Sequence, residues 1–134
     1  MKKIILGLSL LLMLVQNGFA FTDATYDKMI ADASDKVWKQ IYRCYKASDI
    51  RNASHSDINI CLKAIDLIKQ NPNKVDKDVL AVAIQNTALI YDETGDDLNA
   101  YKYYMKAARL GGRAGIQAQK NLNIMCKESP WACK

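Results

Sequence analysis

The side chains able to do chemistry in this 134-residue chain are few: four cysteines, one histidine, a cluster of acids and a ridge of bases. Cys44, Cys61, Cys126 and Cys133 contain no C-x-x-C pair, and His55 stands at ligand spacing from none of them. Structural zinc takes about four cysteine or histidine ligands in a tight pattern, so no metal site is expected. An even cysteine count in a small domain points instead to disulfides. Asp92, Glu93, Asp96 and Asp97 lack the alternating oxygen spacing of a calcium loop. Asp96 and Asp97 better suit the start of a helix, where negative charge meets exposed N–H groups. There is no G-x-S-x-G, no H-E-x-x-H and no glycine-rich phosphate loop. These absences leave no catalytic residue and no cofactor to nominate, and the expectation is a binding protein without enzymatic activity.

Two further sets invite a functional reading. Tyr101, Tyr103 and Tyr104 resemble a ligand platform, but Tyr101 and Tyr104 fall on the packing face of their helix, leaving Tyr103 the freer ring. Lys102, Lys106, Arg109 and Arg113 recur at helical steps and form a basic ridge. Such a ridge is ordinarily a solvated face; its functional reading is a seat for an acidic partner.

The elements that must carry these residues begin after a leader. Lys2 and Lys3, the apolar run Ile4 to Val15, and small residues up to Ala20 have the layout of a secretory signal peptide, with cleavage expected after Ala20. The run is short for a membrane span, and no cysteine follows the cut to accept a lipid, so no stable membrane anchor is expected. Residues 21–134 then form a single domain with one modest core. Losing Lys2 and Lys3 lowers the formal charge from +5 to +3, and no arginine-rich run interleaved with aromatics appears, so nucleic acid is not an expected partner. The leader has a bacterial look, which makes the expected compartment a periplasm. In that setting the sequon Asn52-Ala53-Ser54 is not expected to be used.

Five helices follow from apolar spacing. The first runs from about Asp23 to Ala47, with Val37, Trp38, Ile41, Tyr42 and Tyr45 on one face. The second starts near Ser54, where Ser54-His55-Ser56-Asp57 resembles a capping box, and stops before Pro72. The third starts near Asp76 and carries Val79, Ala83, Ile84, Thr87, Ala88 and Tyr91 up to Gly95. The fourth spans Asp97 to Leu110 with Leu98, Tyr101, Tyr104, Ala107 and Ala108; Gly111-Gly112 closes it. The fifth, about Ala114 to Lys127, carries Ile116, Leu122 and Met125. No segment alternates as a strand does. The expected fold is all-α, a short solenoid of antiparallel helix pairs.

This layout selects a disulfide pairing. Cys44 and Cys61 lie at nearly equal offsets from a turn centred near Asn52, so an antiparallel hairpin sets them at one height, as a bridge needs. Cys126 and Cys133 flank Ser129-Pro130, which reverses the chain. The expected bridges are Cys44–Cys61 and Cys126–Cys133, the second folding Pro130-Trp131 back onto the last helix.

The stretch Ala81 to Gly112 resembles a tetratricopeptide repeat and, more loosely, the related Sel-like repeat. Ile84, Ala88 and Tyr91 stand at first-helix packing points, Gly95 at the turn, and Ala100, Tyr104 and Ala107 at second-helix points. Small side chains at Ala88, Ala100 and Ala107 let two rods nest, with Tyr91 and Tyr104 filling beside them. Gly112 stands where the family often has proline, and Thr87 where leucine is common. The resemblance implies a concave partner groove lined by first-helix residues, here Val82, Gln85, Asn86, Leu89 and Asp92. Leu89 replaces a residue that family members use to clamp a terminal carboxylate, so that clamp is not implied. The leading expectation is therefore a secreted, protein-binding adaptor. Its rivals are an immunity protein that neutralises a toxin entering the periplasm, and a cell-envelope hydrolase, which would need two carboxylates facing one cleft.

Overall fold

A computed structural model describes residues 35–48 and 53–134, and every described element is helical. They are α1 (Lys36–Ser48), α2 (His55–Gln70), α3 (Lys77–Glu93), α4 (Asp97–Leu110), α5 (Gly112–Glu128) and a final 3-10 turn (Pro130–Cys133). The expected signal peptide lies outside the described residues, as do Asp23 to Ser34.

Local hydrogen bonds explain most boundaries. Of the expected helix from Asp23 to Ala47 the described part starts at Lys36; Asp35 is not helical and instead caps α1. Its Oδ1 accepts the N–H groups of Val37 at 3.0 Å and Trp38 at 3.3 Å. Lys74, from the α2–α3 turn, reaches the same carboxylate at 3.1 Å. Burial alone would raise the Asp35 pKa, but Lys74 and the two N–H donors together hold it below the usual value. At α2 the Ser54 N–H donates to Asp57 Oδ2 at 2.8 Å, the return arm of a capping box. Asp76 Oδ1 accepts from the N–H groups of Asp78 and Val79 to start α3, and Asp96 Oδ1 accepts from the Asn99 N–H to start α4. Gly111, at φ 75°, ends α4 and starts α5 in one residue, a conformation that costs glycine little.

The core is organised around α3. It packs against α1, α2, α4 and α5, and every residue from Ala81 to Ile90 is buried. Gly112 at the start of α5 lies against the Asp78 side chain at the start of α3, so these two helices begin at the same end of the molecule. The result is a stack of helix hairpins, α1/α2 then α3/α4, finished by α5. Ala88, Ala100 and Ala107 are all fully buried in one core cluster, together with Tyr104. The Tyr104 hydroxyl donates to Asp92 Oδ2 at 2.9 Å, tying α4 to α3.

A second close approach brings α5 onto α4. A Cβ on Gly115 would stand 2.9 Å from the Ala107 carbonyl oxygen and 3.3 Å from that of Ala108, both backbone atoms that cannot swing aside. Alanine in a helix interior is favoured over glycine by about 1 kcal/mol. Overpacking a core costs about 1–3 kcal/mol, so the clash should win. Gly115→Ala is expected to lower the melting temperature, and a rise would show that α5 can slide away from α4 at no cost.

Both expected disulfides form, Cys44–Cys61 with Cα atoms 4.5 Å apart and Cys126–Cys133 with 5.7 Å. The second turns the chain after α5 back onto α4 and α5. Ser129 latches this return by donating to Asp97 Oδ2 at 2.8 Å. Two such bridges place the chain in a non-reducing compartment. Among the described residues no helix is long and apolar enough to cross a membrane.

Candidate functional site

The five side chains expected to line a concave groove are core residues. Val82, Gln85, Asn86, Leu89 and Asp92 are each at most 6% exposed. The reason is the central position of α3: the repeat pattern marks the outward face of a first helix, but this helix is buried on every face through its middle. Lining an open groove requires exposure that these residues lack. Burial leaves one of them costly. Neither amide atom of Gln85 has a hydrogen-bond partner among the described residues, and an unsatisfied buried polar group costs about 1–3 kcal/mol. Gln85→Met, close in volume, is expected to raise the melting temperature; a drop would reveal a polar partner that Gln85 satisfies in solution.

The acidic cluster has structural duties. Asp92 accepts from Tyr104, Asp96 caps α4, and Asp97 accepts from Ser129. His55 is the exposed first residue of α2. No group of three or more His, Cys, Asp or Glu side chains among the described residues is arranged to hold a metal ion. A cleft of about 310 Å³ lies at the α2–α3 turn, walled by Ile68, Pro72, Val75 and Leu80. Lys69 and Lys77 also line it, and its one carboxylate, Asp76, caps α3, so the cleft does not hold the two facing carboxylates expected of a hydrolase.

Tyr101 and Tyr104 pack on the core as expected, and only Tyr103 departs from expectation. Tyr104 is fully buried, and burial beside Asp92 pushes its hydroxyl well above the ordinary pKa, so it remains a donor. Tyr103 is not the free ring: it lies 5.3 Å from Tyr91 between ring centroids, and Lys106 sits 4.6 Å above its face.

One strongly basic exposed surface is the α4–α5 end; α1 carries another, with Lys36, Lys39, Arg43 and Lys46 exposed and no acid. Lys102, Lys106 and Arg109 point outward from α4, and Arg113 continues the ridge onto α5. Lys120, Lys127 and Lys134 extend it, all exposed. From residue 98 to 134 the chain carries seven basic residues and one acid, Glu128. This segment sums to +6 in a chain of net charge +5, although α1 also carries four bases and no acid. Composition summed over the entire chain conceals that asymmetry; counting charge by segment exposes it.

Apolar side chains share this end. Ile116 is 57% exposed and Ile124 36%, both on the outer face of α5 with Lys120 between them, while Leu98 at the start of α4 is 55% exposed. Ile116 and Leu98 were expected on packing faces, and both expectations fail. On α5 the buried stripe is Ala114, Ala118, Leu122 and Met125. Ile116 stands six residues before Leu122, about 240° around the helix, a phase readable from the sequence once alanine is counted as a packing residue. Trp131, in the turn that folds back onto α4 and α5 as expected, is 59% exposed. No family model matches the chain, and no curated protein and no solved structure matches it either.

Proposed function

We propose that this protein is a non-catalytic, protein-binding scaffold of the tetratricopeptide kind, exported by its signal peptide to a bacterial periplasm. In this reading an acidic protein partner is held by the outer ridge of Lys102, Lys106, Arg109 and Arg113. The single observation that carries it is the exposure of these four bases in one run along α4 and into α5, two helices whose only acids are Asp97 and Glu128. The helical stack supports the repeat assignment. Asp78 and Gly112 meet at equivalent points of successive first helices, a register consistent with a repeat of about 34 residues, and the three alanines expected at close-packing positions are all buried. Asp76 and Asp96 are engaged in caps and Asp92 in an interhelical bond.

Clustered charge of one sign steers an oppositely charged partner and makes association fall with salt. The test is capture from periplasmic extract on immobilised protein, wild type against Lys102→Glu/Lys106→Glu/Arg109→Glu, at low and high salt. All three side chains are exposed, so the variant should keep its helical signal and melting temperature. Acidic proteins retained by the wild type at low salt are expected to be lost from the triple variant. Retention of the same proteins by both would refute the ridge as the binding surface.

A further inference from the structure

The outer face of α5 has a composition that its neighbours lack. Ile116 and Ile124 are separated by two helical turns, roughly 12 Å along the axis, and Lys120 stands midway. Lys127 continues the face at one end and Arg113 at the other. The opposite face of α5 is committed to the core through Ala114, Ala118, Leu122 and Met125. The helix is therefore rigidly seated, with an apolar and basic strip turned outward.

Position in the stack says what such a strip fits. Each earlier hairpin is covered by the next helix: α3 packs on α1 and α2, and α5 on α3 and α4. The described chain leaves this face uncovered, with Ile116 and Ile124 exposed. The Cys126–Cys133 bridge and the Ser129–Asp97 bond turn the chain back onto α4 and α5. We infer that the strip accepts an amphipathic α-helix of an acidic partner protein, which packs on α5 as the next helix of the stack. Its apolar residues, one or two turns apart, meet Ile116 and Ile124, and its carboxylates flank Lys120 and Lys127. A second copy of this chain is disfavoured as the occupant, because an antiparallel two-fold contact centred on the strip would set Lys120 against its own counterpart and Lys127 against Arg113. An anionic membrane is disfavoured because Gln119 and Asn123 interrupt the strip, leaving two isoleucines to enter lipid. The inference rests on the scaffold reading and specifies its partner.

The experiment uses the whole mature chain with both disulfides intact. The probe is a synthetic helical peptide of about five turns, roughly 18 residues, with leucines on one face flanked by glutamates. The control has the same composition scrambled so that no face forms. Anisotropy titrations are expected to show salt-sensitive binding of the amphipathic peptide and not of the scramble. Ile116→Ser/Ile124→Ser should weaken it by about tenfold or more, as expected for apolar anchors of a small interface. Circular dichroism should show the variant folded. A Lys63→Glu control, at an exposed base on α2, should still distinguish peptide from scramble. Equal binding of peptide and scramble, or no loss in the isoleucine variant, overturns the proposal. So does isoleucine-dependent binding to phosphatidylglycerol vesicles without peptide binding, or isoleucine-dependent self-association in sedimentation. If extract partners depend on the α4 ridge while the peptide ignores α5, the scaffold reading survives and this inference falls.

Discussion

Reduction of both disulfides is expected to remove roughly 5 kcal/mol of stability. The Cys44–Cys61 bridge closes a loop of sequence separation 17, and Cys126–Cys133 one of 7. On the chain-entropy account these loops are worth about 3 and about 2 kcal/mol, because each cross-link removes conformations from the unfolded chain. A domain of this size has a total stability of about 5–15 kcal/mol. The reduced protein should therefore unfold at much lower urea than the oxidised form. The two bridges should also separate. Cys44→Ala/Cys61→Ala is expected to cost more than Cys126→Ala/Cys133→Ala, since its loop is longer and its sulfurs are fully buried. Urea titrations of the two pair variants and of wild type with and without reductant check the order. A reduced wild type as stable as the oxidised protein would mean that helix packing alone holds the stack.

Tyr104→Ala is expected to cost about 3–5 kcal/mol, as for other buried aromatic truncations. Tyr104 is fully buried at the crossing of α3 and α4, among the alanines that let the two helices approach. Removing the ring opens a cavity that those small neighbours cannot fill. It also strips the Tyr104 donor from Asp92, itself 2% exposed. Tyr104→Phe keeps the ring and loses the hydroxyl alone, so it should cost about 1–3 kcal/mol. The pair of variants separates packing from hydrogen bonding. The wild type should carry a matching alkaline signature. The Tyr104 hydroxyl is held above its unfolded value of about 10, so the folded form retains its proton longer. That stability is present below about pH 10 and lost as pH climbs through the folded value. Tyr104→Phe should flatten this alkaline decline, as read from melting temperatures across the range. An unchanged decline would place the alkaline sensitivity elsewhere.

The boundaries of α2, α3 and α4 were legible because helix ends are settled by neighbours a few residues away. Ser54 and Asp57, Asp76 with Val79, and Gly95 act through bonds or backbone preferences within one turn. Asp35 was missed as a cap because the apolar period runs through it without a break, and the tie to Lys74 joins residues distant in the chain. Pairing of the cysteines was legible for a related reason: once two helices are known to be antiparallel neighbours, equal offsets leave one geometry. Gly115 gave no signal, since its need for a missing Cβ arises from the carbonyls of Ala107 and Ala108 on another helix.

The sequence by itself determined an all-helical chain, most of its turns and caps, its two staples, and the three alanines on which close packing depends, because each follows from bonds or spacings along the backbone. Only the tertiary structure decided that α3 is buried on all sides through its middle, which turned the expected groove residues into core. Burial is a property of what lies across from a residue, and for Val82, Gln85 and Asn86 that could not be read from their own helix.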